Sequence, residues 1–137
     1  HYEEGTFTPV LIGGGTAGTY ELNSETTSAT YTRIGRQVFI ELIVNTASSV
    51  TGGGDNYLRM TGLPFNYPAG VKNVQGTVDS TVGYTGVTLF MVQDASGANN
   101  SMLFLGRAAD GTHTNVPVSS LGASKQIRAS FSYVTAL

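Results

Sequence analysis

Side chains that could bind a sugar are grouped in the middle of the sequence. Tyr57 directly follows Asp55 and Asn56, Arg59 comes two residues later, and Tyr67 follows another asparagine. Aromatic rings pack against the apolar face of a saccharide, while carboxylate, amide and guanidinium groups hold its hydroxyls. We predict that these five residues bind a glycan. Because tyrosine is common in strands, an ordinary packing role for each ring is the alternative.

A second polar group stands near the end of the chain. Asp110 and His113 are three residues apart in the polar segment 110–115, which we predict to be a loop. An aspartate and a histidine together could act as an acid–base pair or as metal ligands. Two groups are too few for zinc, which takes three or four protein ligands. We therefore predict that no metal or cofactor is bound. Asp110 and His113 are candidate glycan-binding residues, and an ordinary solvated loop is the alternative.

The remaining acidic residues do not form a recognisable catalytic pair. Glycoside hydrolysis needs two carboxyl groups on either side of one bond. Here three aspartates stand in turns, and most of the glutamates lie near the terminus or flank a loop. Glu41 alone lies within a long apolar segment, where a charge requires a partner. We predict a structural ion pair across strands, the candidate partners being Arg36, Arg59 and Arg128. With no cysteine and no Gly-x-Ser-x-Gly motif, the chain is predicted not to be an enzyme.

Charge and hydropathy exclude two further classes of partner. Only 7 of the 137 residues are Lys or Arg and the pI is about 5.5, which leaves few cations for contacts with a phosphate backbone. No apolar run approaches the roughly 18 residues that a membrane-spanning helix requires. We predict no nucleic-acid partner and no membrane insertion.

The elements that must position these residues are all predicted to be β-strands. Short apolar or alternating segments are separated by Gly, Asn and Asp, and no window has helical periodicity. This pattern predicts one all-β domain with an antiparallel sandwich. The predicted strands are Thr6–Ile12, Thr27–Ile34, Gln37–Ala47, Tyr57–Thr61, Val71–Asp79, Val87–Gln93, Ser101–Arg107 and a final strand over residues 127–133.

The segment Val38–Val44 is apolar on both faces apart from Glu41. A strand of this kind is normally covered on both sides, so we predict that both faces are covered, either by a second sheet and a loop or by another subunit. The residues Gly35 and Arg36 separate the predicted strands Thr27–Ile34 and Gln37–Ala47 and predict a tight hairpin with a positive φ at the glycine.

Three motifs resemble a domain that recurs at the C-termini of bacteriophage tail fibres and tailspikes. Residues 3–9 read EEGTFTP and are similar to the family's opening "EEGTWTP" or "EEGTFTP". Residues 31–38 read YTRIGRQV and look like its "YTKIGxxV" hairpin, and residues 61–65 read TGLPF and look like its "GLPF" turn. Phe7 stands where the family commonly has Trp.

The resemblance implies a jelly-roll-like β-sandwich over residues 1–137, at the C-terminus of a longer fibre or spike protein. Such domains are expected to form homotrimers beside the upstream shaft and to recognise host-cell surface polysaccharide. The implied location is the virion, on an extracellular tail appendage made in the host cytoplasm. One alternative is a purely structural trimerisation cap or capsid decoration module without a ligand. Another is a depolymerase fragment whose catalytic acids come from two subunits.

Overall fold

The computed structural model describes residues 1–16, 18, 20–50, 52, 54, 57–68, 75–81, 87–93 and 99–136. The described residues form ten β-strands and one 3₁₀ turn at Val118–Ser120, which confirms the all-β prediction. None of these residues belongs to a helix long and apolar enough to cross a membrane. The strands are β1 Tyr2–Thr6, β2 Val10–Gly13, β3 Ser28–Ile34, β4 Gln37–Asn45, β5 Leu58–Thr61, β6 Gln75–Ser80, β7 Val87–Gln93, β8 Met102–Ala108, β9 His113–Asn115 and β10 Gln126–Val134.

All strand pairings are antiparallel, and the order across the sheet is β1-β3-β4-β10-β6-β7-β8-β5-β2, with β9 paired to β8. The two edge strands, β1 and β2, are joined by only residues 7–9. A linker this short keeps its ends within about 14 Å. The sheet therefore curls until its edges are neighbours, and its inner surface closes into a β-sandwich core.

The β3–β4 hairpin forms as predicted. Gly35 adopts a φ of 61°, and the register places Ile34 opposite Gln37. Glycine enters this left-handed region at little cost, whereas a Cβ would be strained there. The tight turn sets which residues of β3 and β4 share a face, because a shift of one residue would exchange the two faces.

The core is built from alternate residues of the strands. In β10 every second side chain is buried and those between are exposed, as the alternating sequence predicts; the buried ones are Ile127, Ala129, Phe131 and Tyr133. Each large apolar side chain buried in this way contributes about 1.5–3 kcal/mol to folding. The other fully buried large side chains are Tyr67, Phe104, Leu11, Ile40, Leu58, Met60, Met91, Met102, Val38, Val44 and Val116.

The central side chains on the second face of β4 are exposed. Phe39 is 46% exposed and Ile43 is 36% exposed, while Val38, Ile40 and Val44 point into the core. Within the described residues, strand β4 is thus covered on one face only, and coverage of the other by a neighbouring subunit stays a prediction. The exposed face consists of alternate residues of β1, β3, β4, β10 and β6, and we call it the outward face.

Two predicted elements differ from the structure. The predicted strand Thr6–Ile12 is divided into β1 and β2 because Pro9 lacks the N–H that a continuous ladder requires. The predicted loop 110–115 contains the short strand β9, which pairs with β8 through Asn115 opposite Leu105. The strand predicted over Val71–Asp79 begins in the described residues at Gln75, and residues 71–74 lie outside them.

Candidate functional site

The predicted tyrosine-centred site is only partly described. Asp55 and Asn56 lie outside the described residues. Tyr57 and Arg59 are both half-buried and contact each other, with Arg59 Cζ 5.5 Å from the Tyr57 ring centroid. Arg59 Nη2 donates to Gly14 O over 3.5 Å, and a Cβ at Gly14 would come within 2.5 Å of the Tyr57 ring. The pair therefore packs against the segment that follows β2.

Tyr67 belongs to the core. Its side chain is 1% exposed, and its hydroxyl donates a 2.7 Å hydrogen bond to Ser101 O. The ring meets Tyr133 edge-on, with the centroids 6.3 Å apart. No exposed ring face is left on which a sugar could stack, so we place Tyr67 among the packing residues and outside the candidate site.

Asp110 and His113 lie together at the β8–β9 turn. Both are exposed, and His113 stands opposite Arg107 across the two strands. The Asp110 carboxylate accepts hydrogen bonds from the hydroxyl and the backbone N–H of Thr112, which lower the pKa of Asp110 below its usual value. Bonding within its own turn is the usual role of such an aspartate. Among the described residues there is no cluster of three or more potential metal-binding side chains.

A shallow groove of about 380 Å³ crosses the outward face, and we call it the carboxylate groove. Glu41 stands at its centre, between Thr30 of β3 and Ser130 of β10. The next row of cross-strand neighbours contains Ile43, Arg128 and then Asp79 of β6. The residues that line the groove are Ser28, Thr30, Glu41, Leu42, Ile43, Asp79, Arg128, Ala129 and Ser130.

A second groove of about 430 Å³ adjoins the first, and we call it the amide groove. It begins at the facing pair Asn45 and Gln126, which is the next outward-facing row after Ile43 and Arg128. Its lining is uncharged and carries amide and hydroxyl groups. The lining residues are Asn23, Thr26, Asn45, Thr46, Ala47, Ser48, Ser124 and Gln126.

A chain of side-chain hydrogen bonds connects the two grooves, and we call it the amide relay. Arg128 Nε donates to Gln126 Oε1 over 2.9 Å, and Gln126 Nε2 donates to Asn45 Oδ1 over 3.0 Å. Asn45 Nδ2 then donates to Thr26 O over 2.9 Å. Arginine can only donate and a carbonyl can only accept, so the two ends of the relay set the orientation of both amides. Each amide is thereby held in one orientation and keeps a second N–H and a second oxygen lone pair for hydrogen bonds to a ligand.

The predicted ion pair of Glu41 is wrong. Glu41 is exposed, and the described residues include no salt bridge between it and an arginine. Arg36 instead donates to Thr135 O, and Arg128 donates to Gln126. The reason is the outward direction of Glu41 in β4, which leaves its carboxylate in water at the centre of the carboxylate groove.

The three motifs that resemble the phage family meet at one place away from the grooves. The Tyr31 hydroxyl donates to Glu3 Oε1 over 2.6 Å, and this bond raises the pKa of Tyr31. A Cβ at Gly5 would lie 3.0 Å from that hydroxyl. Phe65 meets Tyr31 edge-on at 5.2 Å, and Arg33 Cζ lies 4.7 Å from the Phe65 centroid. These contacts give the motifs a packing role.

Comparison with known proteins supports the fold. No protein-family model and no curated protein matches the sequence. Among solved structures, the chain is similar to the crystal structure of the Dettilon tailspike protein, with a TM-score of 0.73 and 18% sequence identity. The match covers 98% of this chain and 24% of the tailspike chain. The chain thus has a fold that also occurs within a phage tailspike, and it spans about a quarter of that protein's length.

Sequence reasoning named Arg128 as one of three candidate partners of Glu41, a pairing that the described residues do not contain, and it missed the grooves. The lining of the amide groove comes from distant segments, since Asn45 and Gln126 are 81 residues apart. A signal was present, since the outward positions of β10 are polar from Gln126 to Ser132 and those of β4 alternate between polar and apolar residues. Assigning the outward positions of both strands to one surface would have grouped Glu41, Arg128 and Ser130.

Proposed function

We propose that this chain is the host-attachment domain of a phage tail fibre or tailspike, and that its outward face binds a cell-surface saccharide. The observation that carries the proposal is the pair of adjoining grooves, which are lined by carboxylate, amide, hydroxyl and guanidinium groups on an exposed sheet. The likeness to a tailspike supports the phage context. The motifs at residues 3–9, 31–38 and 61–65 support it independently.

The chemistry of the grooves suits a sugar. A sugar hydroxyl both donates and accepts, so it can bond to a carboxylate and an amide at the same time. Phe39 and Ile43 flank Glu41 on the outward side of β4 and offer apolar surface to the C–H face of a sugar ring. Amides whose orientation is already held by the relay lose little conformational entropy on binding.

The proposal contains no catalytic step. In a glycosidase one carboxyl group is buried so that it keeps its proton and can act as the acid. Glu41 and Asp79 are both exposed, and they stand on strands separated by β10. Their role in the proposal is to accept hydrogen bonds from sugar hydroxyls.

The test is binding of the purified domain to an array of bacterial surface polysaccharides, with Phe39→Ala and Glu41→Gln as the site variants. Loss of a hydrogen bond to a charged group costs about 1.5–3 kcal/mol, so we expect affinity to fall about tenfold or more. Val10→Ala removes apolar surface from a 43% exposed side chain in β2 and is the control for Phe39→Ala. Absence of polysaccharide binding, or equal binding by wild type and both site variants, would overturn the proposal.

A structural role in trimer assembly is the second candidate, and one observation favours it. Tyr2, Ile34 and Val134 are 64%, 56% and 42% exposed and share one row of the outward face with Gln37. Exposed apolar side chains grouped in this way commonly mark an interface. Light scattering should then give a mass near three chains that persists on dilution, and Ile34→Ser should reduce it to one. A single-chain mass for the wild type would count against this role.

A further inference from the structure

The carboxylate groove contains more negative than positive side chains, namely Glu41 and Asp79 against Arg128. Arg128 and Asp79 face each other on β10 and β6, so their opposite charges offset one another. Glu41 stands directly opposite the hydroxyl residues Thr30 and Ser130. Arg128 lies one row away, and the lining holds two carboxylates against one guanidinium. One net negative charge therefore remains, at the centre of the groove.

The cation of the groove is already engaged. Arg128 Nε donates to Gln126 Oε1, and this bond holds the guanidinium at the start of the amide relay. A carboxylate or phosphate on a ligand would have to share this guanidinium with Gln126 and lie close to Asp79. It would also approach the uncompensated charge of Glu41, and like charges at short range repel.

Apolar and polar surfaces alternate along β4. After Gln37 the outward residues in order are Phe39, Glu41, Ile43 and Asn45, and the six residue-to-residue steps from Phe39 to Asn45 extend over about 20 Å. An apolar side chain thus precedes each hydrogen-bonding side chain. Such a surface fits a linear chain of sugar rings, each with an apolar face and a set of hydroxyls.

We infer that the outward face binds an uncharged oligosaccharide that runs along β4, and that it discriminates against glycans bearing carboxylate or phosphate groups. This inference rests on the proposed function, since it names the class of saccharide that the same grooves take. Glu41 is the residue that sets the discrimination, and the uncharged amide groove extends the site beyond Ile43.

A chemically matched pair of ligands tests the inference. The probe is a polysaccharide that contains uronic acid, used before and after its carboxyl groups are reduced to alcohols. We expect the reduced, neutral polymer to bind about tenfold or more tightly than the native polymer at low ionic strength. The difference should shrink as salt is added, because exposed charges are screened.

Two substitutions test whether Glu41 causes the discrimination against acidic glycans. Glu41→Gln should raise binding of the acidic polymer by several-fold, whereas the same change at Glu3, a half-buried residue on the opposite side of the edge strand β1, should leave it unchanged. Tighter or equal binding of the acidic polymer by the wild type would overturn the inference and leave the proposed function standing. Absence of binding to either polymer and to a panel of neutral bacterial polysaccharides would overturn both.

Discussion

Gln126 Nε2 donates a 3.0 Å hydrogen bond to Asn45 Oδ1, and the two residues face each other across β10 and β4. The amides are half-buried between a donor-only guanidinium on Arg128 and an acceptor-only carbonyl at Thr26. Reversal of either amide would place two donors or two acceptors together. Asn45 and Gln126 thus line the amide groove in a fixed orientation, and the bond from Arg128 to Gln126 connects that groove to the carboxylate groove.

Asn45→Asp tests the relay. An aspartate still accepts from Gln126, but it has no N–H for Thr26 O and brings two acceptors together. We expect the free energy of unfolding to fall by about 1–2 kcal/mol in urea denaturation at neutral pH. Gln37→Glu makes the same amide-to-carboxylate change on the outward side of β4 outside the relay and should change stability by less than about 0.5 kcal/mol. Equal losses in the two variants would contradict the proposed role of the relay.

Gly62→Ala tests the turn within the motif at residues 61–65. Gly62 has a φ of 95°, and a Cβ there would lie 2.5 Å from Thr8 O. Since backbone strain and a steric clash act together, we expect a loss of about 2 kcal/mol or more in thermal or urea unfolding. Gly122→Ala is the control because its Cβ would meet only Lys125 at 3.9 Å, and we expect less than about 1 kcal/mol. A tolerated alanine at Gly62 would show that the turn relaxes.

Tyr133 predicts a loss of stability at alkaline pH. Burial raises the pKa of Tyr133 to about 12 in the folded chain, against 10.0 for an unperturbed tyrosine. Between these values the unfolded chain has released the proton while the folded chain retains it, so stability falls as pH rises from about 10 to 12. The contribution that is lost is about 3 kcal/mol.

The measurement is urea unfolding at a series of pH values, with phenolate absorbance as a second readout. Tyr133→Phe is the comparison variant, since it removes the titrating group together with the 2.9 Å bond to Phe65 O. We expect the variant to be less stable at neutral pH and to have a flatter stability profile above pH 10. Parallel profiles of stability against pH for wild type and variant would contradict the prediction that titration of Tyr133 causes the loss of stability.

Tyr67→Phe separates packing from binding. The change removes the 2.7 Å hydrogen bond to Ser101 O and leaves a buried carbonyl without that donor. We expect a loss of about 1–2 kcal/mol in unfolding free energy and unchanged affinity of the folded protein for polysaccharide. Tyr57→Phe, at a half-buried ring, should have a smaller effect on stability. Weaker polysaccharide binding by folded Tyr67→Phe would return Tyr67 to the candidate site.

The sequence by itself determined the class of fold and much of its local detail. Period-two alternation in β10, the turn at Gly35 and the absence of helical periodicity are properties of a few consecutive residues, so short-range physics was sufficient to predict them. The same local reasoning wrongly predicted one strand over Thr6–Ile12, because it relied on the β-propensity of these residues. In the structure Pro9, which lacks an N–H, separates β1 from β2.

Only the tertiary structure decided where the candidate site lies. Tyr67 and Tyr57 have similar polar neighbours in the sequence, yet packing buries one and leaves the other half-exposed. Glu41 stands in an apolar segment, but curling of the sheet turns it outward into water. The amide groove requires Asn45 and Gln126 to meet across 81 residues, and that contact follows from the pairing of β4 with β10, which no short segment encodes.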